Sequence, residues 1–234
     1  MKKHLTTLKT LAALCLAVCL CLPFASCAKK TGPSVFVTIV DSEGNFAMAQ
    51  VAVDYTDADK DGKITFNDAM ISAHDKSFKG GADAGYKTAE GQYGLYVSKL
   101  WGGGDGGSYG YYINNASAMS PLDEVKENDH IVAFFYRDLE NFTDTYAFFD
   151  KNDATAKKGE NVTLVLKKAG YDADWNPVTV PCADAVITVD GEKTEFKTSA
   201  DGSVTLTLGK GKHTVSAVAD SGIIVGAICT VTVK

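Results

Sequence analysis

The chain has 234 residues and a formal net charge of −6, enough length for one large core or two small ones. Residues 1–26 carry Lys2, Lys3 and Lys9 and no acid, so without those three lysines the net charge moves from −6 to −9. Arg137 is the single arginine, and so acidic a chain is unsuited to nucleic acid or to direct attraction by an anionic membrane. This balance suits a soluble extracellular module that tolerates cations.

In chain order, residues 1–26 read as a secretory signal: a lysine-bearing start, an apolar stretch from Leu11 to Leu22, then small Ala25 and Ser26. The following Cys27 completes FASC, which resembles a bacterial lipobox. That resemblance implies lipidation of Cys27 and a lipid-anchored, extracellular location, the membrane being reached only through the anchor. An ordinary signal cut near Ala28 is the alternative. Residues 27–34 read as a tether. Cys15, Cys19 and Cys21 leave with the signal, so Cys182 and Cys229 remain, as a possible disulfide of an exported protein or as two buried thiols.

Residues 35–156 read as one domain. VFVTIV (35–40) and MAQVAVDY (48–55) alternate as strands around the turn DSEGN. FNDAMISAHDKSF (66–78) places Phe66, Met70, Ala73 and Phe78 near one helical face, with Thr65 and Asp68 spaced as a capping box. KGGADAG ends the helix. GLYVSKLW (94–101), YYINN (111–115), HIVAFFYRD (130–138) and TYAFFDKN (145–152) read as further strands of the same domain. From residue 157 short alternating strands separated by DG turns at 190–191 and 201–202 predict an all-β sandwich over 157–234.

The stretch TDADKDGKITFND (56–68) carries the strongest chemical signal. With Asp57 as position 1 of a twelve-residue loop, Asp59 and Asp61 fall at positions 3 and 5. Gly62, Lys63, Thr65 and Asp68 then fall at positions 6, 7, 9 and 12, in the pattern of an EF-hand calcium loop. Three carboxylates, the Lys63 carbonyl, Thr65 and Asp68 would supply hard oxygens to calcium. Asp68 is one methylene shorter than the usual glutamate, which lowers the expected affinity. A strand precedes the loop, so it resembles the loop–helix half of a dockerin, although a dockerin carries two such loops. A solvated acidic turn is the alternative.

Gly102, Gly104 and Gly107 match GxGxxG, but the aromatic run YGYYINN follows where a dinucleotide site needs a helix. Trp101, Tyr109 and Tyr111 flank this glycine-rich tip and are candidate contacts for a small ligand or glycan, or else pack the sheet. His74, His130 and His213 are widely spaced and form no metal or nucleophile motif. No enzymatic activity is expected, and a hydrolase is the weakest of the functions weighed.

DAMISAHDKSF, GLYVSKLWGG, YGYYINNASAM and VKENDHIVAFFY together resemble the transcobalamin-like C-terminal domain of exported bacterial proteins. The resemblance implies a mainly β, β-grasp-like domain with one helix, and by analogy corrinoid capture. KTSADGSVTLTLGKGKHTVSA resembles bacterial Ig-like or carboxypeptidase-regulatory-like modules, which implies the Ig-like sandwich. The chain is thus expected to be a cell-surface binding or display module with a calcium loop. The alternative is a small-molecule capture protein, and its partner would be a small molecule, a surface protein or a glycan.

Overall fold

The computed structural model describes residues 32–104, 108–141, 143–220 and 222–234. The signal, Cys27 and part of the tether lie outside the described residues, as do Asp105, Gly106 and Gly107 of the glycine-rich tip. Among the described residues no helix is long and apolar enough to cross a membrane.

The first half is a mixed sheet crossed by one helix. Strands β1 (Ser34–Val40) and β2 (Phe46–Asp54) form an antiparallel hairpin. Its turn closes where Asp41 Oδ1 accepts from the backbone N–H groups of Glu43 and Asn45, both at 2.9 Å. Helix α1 (Phe66–Ser77) follows, with Phe66, Met70 and Ala73 fully buried on the expected face. Lys76 Nζ, 2.6 Å from the Ala52 carbonyl, fastens the far end of the helix to β2. A short helix α2 (Gly81–Gly85) occupies the stretch expected only to break α1.

Strands β3 (Lys87–Gly91) and β4 (Gly94–Lys99) make a separate two-stranded hairpin. Strand β4 stops short of Leu100 and Trp101, where the expected strand continued, because the backbone turns at Trp101 with φ +47°. Strands β5 (Tyr109–Ile113) and β6 (Ala116–Ser117) are joined by Asn114 and Asn115, both left-handed, as a type I′ turn requires. Strand β7 (His130–Phe135) completes the sheet in the order β2-β1-β7-β5-β6. The first and last long strands, β1 and β7, run parallel at its centre. This is the β-grasp-like arrangement: a hairpin, a crossing helix, and a return strand beside the first.

The second half is a sandwich. Strands β8 (Asp144–Phe149), β9 (Asp153–Ala156), β10 (Asn161–Tyr171) and β11 (Pro177–Pro181) are followed by β12 (Val186–Val189) and β13 (Glu192–Lys197). Strands β14 (Ser203–Thr207), β15 (Gly211–Val218), β16 (Ile223–Val225) and β17 (Ile228–Val233) complete the chain. One sheet runs β11-β10-β8-β16, with β14 also on β10, and the other runs β13-β12-β15-β17-β9. Leu164, Leu166, Ile187, Leu206, Val215 and Val231 meet between them, each at most 1% exposed. Gly202 is required at its turn on two counts: φ is +79°, and an added Cβ would lie 2.2 Å from the Leu166 carbonyl oxygen.

Strand pairing departs from the expected division at 156/157. Strand β8 pairs with β10 and β16, and β9 pairs with β17, so both belong to the sandwich sheets. The side chains explain this placement: Ala147 and Phe149 enter the sandwich core, while Tyr146 enters a third cluster with Val40, Val132, Phe134 and Val225. That cluster is a seam shared by the two halves.

Cys229 lies on β17 and Cys182 just beyond β11, both buried and both free thiols, so the expected possible bridge is not formed. Burial pushes the Cys229 thiol up to about 12 and raises that of Cys182 as well, which keeps both in the unreactive thiol form.

Candidate functional site

The acidic loop lies between β2 and α1, and its own backbone folds the carboxylates together. Asp57 accepts from the N–H of Asp61 at 3.1 Å and from the N–H of Gly62 at 2.9 Å. Asp59 Oδ1 accepts from the same Asp61 N–H at 3.2 Å, and Asp61 Oδ1 accepts from Lys63 N–H at 2.8 Å. Gly62 sits at φ +86° with open space around it, so backbone conformation rather than crowding calls for glycine.

Oxygens of Asp57, Asp59 and Asp61 come within 4.8 Å of one another. Ligands held about 2.3–2.6 Å from one Ca²⁺ lie no more than roughly 5 Å apart, so this donor set fits a single hard cation. Partial desolvation and the charges of Asp61, Asp68 and Asp57 push the Asp59 carboxyl above its ordinary value, against the hydrogen bond from Asp61. A bound cation would reverse that crowding.

Asp68 and Thr65 are placed differently. Asp68 is fully buried. Its Oδ2 accepts from Thr65 N–H at 2.8 Å and from the Thr65 hydroxyl at 2.7 Å, and its Oδ1 accepts from Ala58 N–H at 2.8 Å. The capping box is therefore formed, and the same carboxylate ties the start of the loop to the helix. These bonds occupy the Thr65 hydroxyl and much of Asp68, and the Asp68 carboxylate does not join the three-aspartate group.

The loop's exit is held by a different strand-like contact. Ile64 O accepts from Val125 N–H at 3.0 Å, Phe66 N–H donates to Asp123 O at 2.9 Å, and Thr65 bridges to Glu124. The segment 121–125 thus braces the single loop.

Trp101, Tyr109 and Tyr111 pack on the core around α1 rather than lining a cavity together. The Trp101 ring lies 5.2 Å from His74 and edge-on to Phe78, and the Trp101 backbone N–H donates to His74 Nε2 at 3.1 Å. Tyr111 lies 5.0 Å from Phe66. Tyr109 meets Phe135 edge-on, and its hydroxyl donates to Gly104 O at 3.1 Å. A cleft of about 220 Å³ lies elsewhere, beside Lys168, Cys182, Asp184 and Asp220 of the sandwich.

The described histidines serve separate structural roles. His74 is inside the first core, His130 stacks on Phe36 at 4.7 Å, and His213 pairs with Asp190 in the sandwich. Sequence reasoning missed His74 as the post joining α1 to the Trp101 turn. Its only signal was an imidazole on the buried side of a helix.

No protein-family model and no curated protein matches the chain. Among solved structures it is similar to a Bacteroides ovatus mixed-linkage glucan utilization locus protein, SGBP-B, in complex with a mixed-linkage heptasaccharide. The identity is 17% and the TM-score 0.23, over 64% of this chain and 35% of that one. The chain thus spans about a third of that structure's length, and a TM-score this low transfers neither fold nor site.

Proposed function

We propose that the chain is an exported, lipid-anchored surface module that binds or displays rather than catalyses, and whose first half is rigidified by calcium at Asp57, Asp59 and Asp61. The observation that carries the calcium reading is the convergence of those three carboxylates within 4.8 Å on a loop braced at both ends. The Lys63 carbonyl and water would complete the shell. With Thr65 and Asp68 largely committed to the helix cap, the expected affinity is modest, in the range of extracellular modules.

Calcium binding to the folded chain alone would add about 2.7 kcal/mol at a free concentration one hundred times the dissociation constant. The test is thermal unfolding of the full chain in chelator and in millimolar calcium, for the parent and for Asp61→Ala. The expected result is a midpoint that rises with calcium in the parent and not in the variant. An unchanged parent midpoint, with no heat of binding, would leave the loop a solvated turn. Anchoring is tested apart from calcium: Cys27→Ser should move the protein from the membrane fraction to the soluble one.

A further inference from the structure

The β10–β11 hairpin turns through Tyr171-Asp172-Ala173-Asp174-Trp175-Asn176-Pro177. Trp175 is 80% exposed and Tyr171 62%, their ring centroids 6.1 Å apart and their planes inclined at 46°. Large aromatic rings lose stabilisation when held in water, and the backbone adds to the cost. Trp175 sits at φ +63°, a conformation a bulky side chain rarely adopts.

This tip is also fixed in place. Asp172 Oδ1 accepts from Asp174 N–H at 2.9 Å and from Asn176 N–H at 2.8 Å, and Asp172 Oδ2 accepts from Asn176 Nδ2 at 3.1 Å. Asp172 N–H donates to Asn176 O and Trp175 N–H to Asp172 O. The hydrogen bonds that hold the turn come from Asp172, Asn176 and the backbone, so none of them requires an indole at 175.

We propose that Tyr171 and Trp175 form a stacking platform for a neutral oligosaccharide. The electron-rich ring faces attract the polarised C–H groups of a pyranose. Two faces inclined to each other fit successive sugar rings of a turning chain, whereas a bilayer or a flat apolar protein surface meets both only when they are coplanar. Asp172 and Asp174 repel anionic lipid, nucleic acid and acidic glycans, and hydrogen bonds from Asn176 hold the Asp172 carboxyl below its ordinary value and so ionised. Their carboxylates can also accept from sugar hydroxyls. The assignment does not depend on calcium.

The test titrates the full chain with cellohexaose, laminarihexaose, xylohexaose and mannohexaose, by calorimetry and tryptophan emission, with and without chelator. At least one hexaose should bind, shift the emission, and bind equally well in chelator. Trp175→Ala should weaken that binding at least about tenfold at an unchanged melting midpoint, and Trp175→Tyr should restore part of it. The proposal is overturned if no hexaose binds at millimolar concentration, or if binding survives Trp175→Ala. It is equally overturned if tetramethylammonium or anionic phosphatidylserine vesicles shift the emission while no hexaose does, since that would make the pair a cation or membrane site.

Discussion

The His213 ring lies between two acceptors, the Asp190 carboxylate 2.8 Å from Nδ1 and the Gly209 carbonyl 2.9 Å from Nε2. Only the imidazolium can donate to both, and the hydrogen bond with Asp190 pushes His213 above its ordinary value. His74 is the opposite case: burial pushes it down, against the hydrogen bond between its Nδ1 and Met70 O at 2.7 Å. With Nδ1 donating there and Nε2 accepting from the Trp101 backbone N–H, only neutral imidazole fits the site. The signs follow from proton linkage. Stability from His213 is full below about pH 6.5 and is lost as pH rises through its folded value. Stability from His74 is full above about pH 6.5 and is lost as pH falls toward its folded value. Imidazole NMR should show His213 titrating above and His74 below an unfolded histidine, and identical titration of the two would refute both assignments. Neither role could be read from sequence, since Asp190 is 23 positions from His213 and Trp101 is 27 from His74.

At the scale of elements, α1 shows how far local spacing reaches. Thr65 and Asp68 promised a capping box and form one, and Phe66, Met70 and Ala73 turn inward as their spacing requires. The spacing could not show that Asp68 also takes the Ala58 N–H. Replacing Asp68 with Asn should therefore cost more than the ~1 kcal/mol of a lost cap, on the order of 3 kcal/mol, since two buried donors of Thr65 and the part-buried Ala58 N–H lose a charged acceptor at once. Chemical denaturation in chelator measures this free of any metal effect, and a loss under 1 kcal/mol would mean the carboxylate is replaceable. Strand β3 escaped sequence analysis for a plain reason: KTAEG is mostly exposed and carries no alternating apolar signal. Strand β11 presents an open sheet edge, and its bracketing Pro177 and Pro181 deny that edge two donors, which discourages pairing with another chain.

Across the whole molecule, the two halves meet at a seam of rings tied by side-chain hydrogen bonds of Tyr146 and Gln50. Tyr112 and Tyr146 stack with centroids 3.6 Å apart, and the Tyr146 hydroxyl donates to Asn115 Oδ1 at 2.9 Å. Gln50 reaches from the first half to the second, where its Nε2 donates to Ile228 O at 3.2 Å and its Oε1 accepts from the Thr230 hydroxyl at 3.1 Å. Gln50 itself sits at φ +49°, in a region where the β1–β2 register shifts. Gln50→Ala should lower global stability by about 1–3 kcal/mol, because Ile228 O and the Thr230 hydroxyl each lose a partner. Calorimetry should show one transition in the parent and a broadened or split one in the variant, whereas two transitions in the parent would mean the seam does not couple the halves. The sequence alone determined what depends on neighbours a few residues apart: the acidic loop, the capped helix, the hairpin turns and the β-rich character of both halves. Tertiary structure decided what depends on distant partners. It placed β8 and β9 in the sandwich, packed Trp101, Tyr109 and Tyr111 on the core, left Cys182 and Cys229 as separate thiols, and held Trp175 outward. Periodicity marks which side of a strand is apolar, but only the packed chain determines which apolar surface that side meets.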